Sequence, residues 1–248
     1  MVFFSDIGSL FLELITFYFV GLMIDPDVLP DYGGKSTTYI EFVAVGIVLN
    51  VFLTVGFSRV AGAIRGEQFK GTLEVLLMTP TALATIQLGS IMYQLIYIPI
   101  RTVVALVAVM LVFGVDLDFS GLLPVTVVML GFVPFAWGLG LISAAGSLTF
   151  RGAGLGFGLL MTLMTLSSGA FFPLDLLPGW LATIAELNPL AIVIQAGREA
   201  LLGGVGWSEI TGDLAILVPA SVVSLAAGTL AFRMALARER GKGTLSLY

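Results

Sequence analysis

The chain has 248 residues, of which 58% are hydrophobic and 11% charged, with a mean hydropathy of +1.07 and a formal net charge of −5. Soluble domains carry about 25% charged residues, so this composition excludes an ordinary water-soluble domain and calls for burial in lipid. The absence of Cys and His removes thiol chemistry, disulfides and the commonest metal ligand, and no metal site is expected.

Apolar runs of roughly 18 residues or more, enough to cross a bilayer core of about 30 Å as helix, occupy 7–24, 39–64, 86–113, 122–150, 154–172 and 214–237. Only helices or a closed barrel satisfy the backbone in lipid, and none of the runs alternates with period two. The fold class expected is therefore all-α: one polytopic domain over 1–248 with six transmembrane helices. Before the first run stand Asp6 and no basic residue, so a secretory signal with a basic leader is not expected. Within that run Asp6, Ser9, Glu13 and Thr16 recur at helical spacing as a polar stripe.

Between the second and third runs lies a charged island, RGEQFKGTLEVLLMTP, starting at Arg65. Read as a helix, it puts Leu73, Leu76, Leu77 and Pro80 on one side and pairs Lys70 with Glu74 at i,i+4 spacing. Thr79-Pro80 then reads as a helix N-cap followed by a first-turn proline. A solvated loop would fit the same composition. The third run carries its own polar stripe: Gln87, Ser90, Gln94, Tyr97 and Arg101. Ionisable groups at depth cost about 2.5–3.5 kcal/mol on insertion scales and face protein or water, so both stripes mark interior faces. Glu13, Gln94 and Arg101 either line a pathway or are paired, and Glu13 with Arg101 is a candidate pair. Asn50, Thr54, Thr162 and Thr165 are expected to make helix–helix hydrogen bonds.

Gly152, Gly154, Gly156 and Gly158 open the fifth run as two overlapping G-xxx-G pairs, a spacing that lets helices approach closely, within one chain or between two. Pro173 is expected to end that run, since proline lacks a donor and clashes with the preceding turn. Pro178 then opens a short helix through Leu187, which Asn188-Pro189 ends. The apolar stretch 190–202 is too short to span and closes on Gly203-Gly204, a helix-stop signal. Spacing alone makes this pair a re-entrant gate or an interfacial hairpin. With both termini in the cytoplasm, Arg59, Arg65, Lys70, Arg151, Arg233, Arg238, Arg240 and Lys242 face inward, eight of the 11 basic residues, as the positive-inside rule asks. A seventh span would carry the basic tail outside.

The forms R-x-E-x-x-x-G-T-L-E-x-L-L-x-T-P and S-G-x-F-F-P-x-x-x-L-P-x-W-L followed by N-P-L resemble those of ABC-2-type permeases, the membrane subunits of ABC exporters, over most of the chain. The resemblance implies a coupling segment in which Arg65, Glu67, Lys70, Gly71, Thr72, Leu73, Glu74 and Pro80 meet a separate ATPase subunit. It further implies an external re-entrant gate built from Gly169, Phe171, Phe172, Pro173, Pro178, Trp180, Asn188 and Pro189. The glycines 152, 154, 156 and 158 would face a second copy or a homologous permease. This chain would hold no cofactor, ATP and Mg being bound by the partner, and would move an amphipathic drug, lipid or lipid-linked glycan outward across the cell membrane. Such subunits usually begin with a basic amphipathic segment, which is missing before the first run.

An intramembrane hydrolase would need a Ser-His, paired-Asp or zinc arrangement at depth, and the residues for it are lacking. An ion-gradient-driven secondary transporter is the alternative that Glu13 and Arg101 keep open, though inverted repeats are not evident. The run Gly241-Lys242-Gly243-Thr244 does not complete a phosphate-binding loop, so energy must come from a partner or a gradient.

Overall fold

A computed structural model describes residues 2–24, 29–69, 83–149, 153–204 and 206–242. Among them are eight α-helices: α1 (Val2–Gly21), α2 (Tyr39–Phe69), α3 (Leu83–Phe113), α4 (Leu122–Thr149), α5 (Ala153–Leu166), α6 (Gly179–Glu186), α7 (Pro189–Leu202) and α8 (Trp207–Lys242). The described residues contain no strand beyond an isolated bridge between Tyr32 and Lys35. The all-helical expectation holds.

The central element is α2. Its first half, from Phe42 to Asn50, is buried almost without interruption, and it touches α1, α3, α4 and α7. A capping box starts it, the Thr38 backbone N–H donating to Glu41 Oε2 at 2.8 Å, which satisfies a donor the helix leaves orphaned. With 31 residues it is about 46 Å long at 1.5 Å rise per residue, and it continues through Phe69 rather than stopping at 64. Leu10 and Leu14 of α1, one turn apart, are buried, whereas Leu12, Phe19 and Leu22 lie exposed. Large exposed apolar side chains also cover α3 and α8, including Ile96, Ile100, Leu111, Val222 and Val223. In water such a surface would aggregate; in lipid it is the expected solvent face.

The most extensive helix pairing is between α4 and α8. A Cβ at Gly138 would meet the Ser224 backbone, and one at Gly228 would meet Gly138 itself. Around that approach Ser221 Oγ donates to the Gly131 carbonyl at 2.8 Å and Ser224 Oγ to that of Phe135 at 3.0 Å. Leu141, Ala144, Phe232 and Leu236 form an apolar cluster further along the seam. Small residues and interhelical hydroxyls are how helices associate where lipid offers no hydrophobic drive.

By length and composition, three helical segments among the described residues can cross a membrane unaided: Ile96–Phe113, Phe119–Thr149 and Ile210–Arg238. A fourth results if Gly179–Glu186 and Pro189–Leu202, bent by 79° at their junction, count as one broken span. Shorter apolar stretches lie in α1, α2 and α5. The prolines inside α3, α4 and α8 (Pro99, Pro134 and Pro219) are compatible with spanning helices, whose neighbours re-satisfy the freed backbone.

The end of the fifth run also differs from the sequence reading. Pro173 does not end the fifth run; α5 stops at Leu166. The cause is a pair of hydroxyls. Ser167 donates its N–H and its Oγ to the Leu163 carbonyl, at 2.9 and 2.8 Å. Ser168 Oγ takes the Thr165 carbonyl at 2.7 Å, so the last carbonyls are satisfied before the proline is reached. Gly169 then turns the chain with φ of 70°, a conformation that costs a side-chain-bearing residue.

Candidate functional site

The 167–173 turn is held by two elements far apart in sequence, α2 and α7 with its cap. From α2, Asn50 Nδ2 donates to Ser168 Oγ at 3.3 Å and Tyr39 Oη to the Phe171 carbonyl at 3.0 Å. Asn188 donates from Nδ2 to the Met164 carbonyl at 2.7 Å and to Ser167 Oγ at 3.0 Å. Its Oδ1 accepts from the Leu190 N–H at 3.0 Å, so one side chain caps α7 and ties it to the end of α5. Pro189 follows at the first helical position, where its missing donor is harmless.

The third tie is Arg198 of α7, 2% exposed. Its Nε donates to the Phe42 carbonyl and its Nη2 to the Ala170 carbonyl, both at 3.0 Å. The guanidinium lies over the Phe42 ring, 3.5 Å from the centroid, a cation–π contact. Among the described residues its electrostatic neighbours are the Tyr32 phenol, which it also hydrogen-bonds, and the Tyr39 phenol. Tyr32 Oη donates in turn to Gln195 Oε1 at 3.2 Å, and burial pushes its pKa above the ordinary phenol value. Gly46 makes the approach possible, because a Cβ there would strike both the Ala170 carbonyl and the Arg198 guanidinium.

Around this core the gate residues take different places. Pro173 is buried, Phe171 and Phe172 are half-buried, and Pro178 sits just before α6. Trp180 is 64% exposed, and with Ile184 and Leu187 it forms the outer apolar side of α6. The loop before α4 docks onto the same end: Asp118 N–H donates to the Leu201 carbonyl at 2.7 Å. Ser120's hydrogen bonds hold the exposed Asp118 carboxyl below the usual range, helped by Lys35. An apolar cleft lined by Thr54, Phe132, Met161, Met164 and Leu190 lies where α2, α4 and α5 meet the start of α7.

The other predicted residues divide. Lys70, Gly71, Thr72, Leu73, Glu74 and Pro80 lie outside the described residues, as does Gly152; Arg65 and Glu67 fall on the last turns of α2. Gly154 lies at the start of α5, whereas Gly156 and Gly158 have nothing within 4 Å of a Cβ position. Among the described residues no neighbour makes a close helix approach at those two. Gln94 lies on α3. Arg101, 1% exposed, has its guanidinium 5.4 Å from the Tyr97 ring centroid.

Glu13 is half-buried and Ser9 and Thr16 are exposed, so the stripe on α1 is not interior within one chain. Leu10 and Leu14 take the inward positions instead. The Thr162 hydroxyl bonds the Gly158 carbonyl of its own helix, not a neighbour. The sequence reading missed Arg198, Tyr32, Tyr39, Phe42 and Gly46. The signal for Arg198 was present, a lone cation in the apolar helix Pro189–Leu202, under the rule that had singled out Arg101.

A helical membrane protein with a broken helix pair and a polar-pinned turn at one end is thus the class that fold and site define. Residues 3–202 match the family model of the ABC-2 type transporter, and the chain belongs to that family. It is 26% identical over 172 residues to the inner membrane transport permease YadH of Escherichia coli K12, covering 67% of this chain and 64% of that protein. It is likewise 26% identical over 176 residues to ABC transporter G family member 20 of Dictyostelium discoideum, covering 71% of this chain and 24% of that protein. The chain thus spans under two thirds of the first relative's length and about a quarter of the second's.

Proposed function

We propose that this chain is the permease subunit of an ATP-driven exporter, with six spans, both termini in the cytoplasm, and a second permease copy beside it in the cell membrane. Two ATPase subunits carrying ATP and Mg dock on the segment from Arg65 to Pro80. Their closure on ATP presses that segment, moves the attached α2, and opens a path past the α6–α7 pair. The cargo is an amphipathic drug, lipid or lipid-linked glycan.

The observation that carries this reading is the 79° bend between α6 and α7, set on a buried turn that ties directly to α2. A broken pair over one end of a helix bundle is placed to close a route, and α2 joins it to the cytoplasmic segment. Family membership and the transport permease named among the relatives support the rest. The open faces of Gly156 and Gly158 suit a second copy.

The test is copurification with the ATPase of the neighbouring reading frame, followed by Glu74→Lys. The substitution reverses charge at the docking segment and leaves the spans intact. Normal insertion with weakened ATPase association, and loss of hydrolysis stimulated by amphipathic compounds, is expected. Unchanged association and stimulation refutes the coupling role.

A further inference from the structure

Among the described residues Arg198 is spent on two backbone carbonyls, the Phe42 ring face and the Tyr32 phenol, whereas buried cations are ordinarily paired with acids. Its two 3.0 Å bonds reach the Phe42 carbonyl on α2 and the Ala170 carbonyl in the 167–173 turn. Three elements that meet nowhere along the chain therefore share one planar group, whose rigid fork presents donors in both directions at once. The surroundings are shaped for it. Phe42 offers its ring face at 3.5 Å, Gly46 leaves the necessary space, and Tyr39 Oη fixes the next carbonyl of the same turn at 3.0 Å.

We propose that Arg198 is the positioning residue that fastens α7 and the 167–173 turn to α2, so that the three move as one body. A displacement at the cytoplasmic end of α2 then reaches the α6–α7 pair without loss in a soft joint. The part played by the ATPase rests on the function proposed above; the fastening itself rests on the contacts of Arg198. The partner it recognises is internal: two carbonyls on separate elements.

The reporter is Gly179→Cys at the start of α6, an open position in a chain without other cysteines. Its labelling by an impermeant maleimide is followed in the copurified complex, with and without ATP plus vanadate. In the parent complex the labelling rate changes with nucleotide. In Arg198→Gln that change is lost while ATP hydrolysis continues, and Arg198→Lys, keeping charge but not the fork, falls between. A merely structural arginine would lower yield or stability and leave the nucleotide response of the surviving protein intact, which would overturn the proposal.

Should Arg198→Gln fail to insert, a second arm decides. Leu49 of α2 and Gly197 of α7 are in contact, so Leu49→Cys with Gly197→Cys can be oxidised to join the two helices covalently. The joined protein keeps the nucleotide response if α2 and α7 already move together; a response lost on oxidation and restored by reduction overturns the idea. If the parent complex shows no nucleotide response at all, the exporter reading falls. The fastening is then judged by whether Arg198→Gln or, where that variant does not insert, Arg198→Lys lowers the oxidation yield of this cysteine pair. An unaffected yield refutes it.

Discussion

Two of the junctions in this molecule differ in the polar groups that they use. The α4–α8 seam brings backbones into contact at Gly138 and Gly228, with two serine hydroxyls as its interhelical polar bonds. The α2–α7 junction also needs small residues, Gly46 and Gly197, but it admits large donors beside them: Arg198 and Tyr39, with Asn188 tying α7 to the end of α5. Small-residue packing is stiff and cheap in polar groups, and it holds two long helices along much of their length. The polar junction is local, and it is confined to the turn where helix geometry fails and carbonyls would otherwise lack partners. Lipid-embedded helices thus close on each other through what they lack; broken helices close through what they can donate.

The largest effect should come from filling the seam. Gly138→Leu drives a side chain into the Ser224 backbone, which cannot yield as a flexible side chain would. Overpacking costs about 1–3 kcal/mol and sometimes more, and here the upper end is expected. The unfolding midpoint in detergent should fall sharply, with reduced membrane yield. A variant as stable as the parent would show that the seam is loose and the contrast between the junctions false.

Asn188→Ala attacks the other junction. It removes the cap of α7 and leaves the Met164 carbonyl and Ser167 Oγ without this donor in a site where Asn188 is 4% exposed. Leaving a buried group unsatisfied costs about 1–3 kcal/mol. Protease sensitivity should rise between α5 and α7 more than elsewhere. Uniform destabilisation, with no local change, would mean that the turn is fixed by packing.

How much of this was legible depends on whether the cause is local. The all-helical character, the short helix from Gly179, the break at Asn188-Pro189 and the stop at Gly203 all follow from neighbours in sequence, and the structure has them. The end of α5 was misplaced because Pro173 is a louder signal than two serines whose hydroxyls turn back on their own helix. Arg198 announced itself by its charge, but its partners are backbone carbonyls, one of them 156 residues away, and a carbonyl carries no residue identity to read. The glycines show the same limit. The G-xxx-G run at 152–158 is conspicuous, yet the closest helix approach uses Gly138 and Gly228, each remote from the other and outside any such run.

Gly156→Leu tests that lesson directly. With open space at its Cβ position, the change should leave the single chain's stability within about 0.5 kcal/mol, as for surface substitutions generally. If 156 faces a second permease copy, as proposed, the dimer should be lost on native gels while the monomer's unfolding midpoint stays put. Loss of stability in the monomer would place a neighbour where the structure shows none.

The smallest effect should come from the seam's serines. Ser221→Ala and Ser224→Ala each delete one hydroxyl bond to an α4 carbonyl, and double-mutant cycles on interhelical hydrogen bonds average about 0.6 kcal/mol. Neither change adds volume, so the close approach at Gly138 and Gly228 survives in both. The double variant should lose only the sum of the two, since Gly131 and Phe135 are separate acceptors a turn apart on α4. If either serine costs as much as Gly138→Leu, the seam is held by its hydroxyls. The two junctions would then be one device used twice, with Ser224 doing at α8 what Asn188 does at α7.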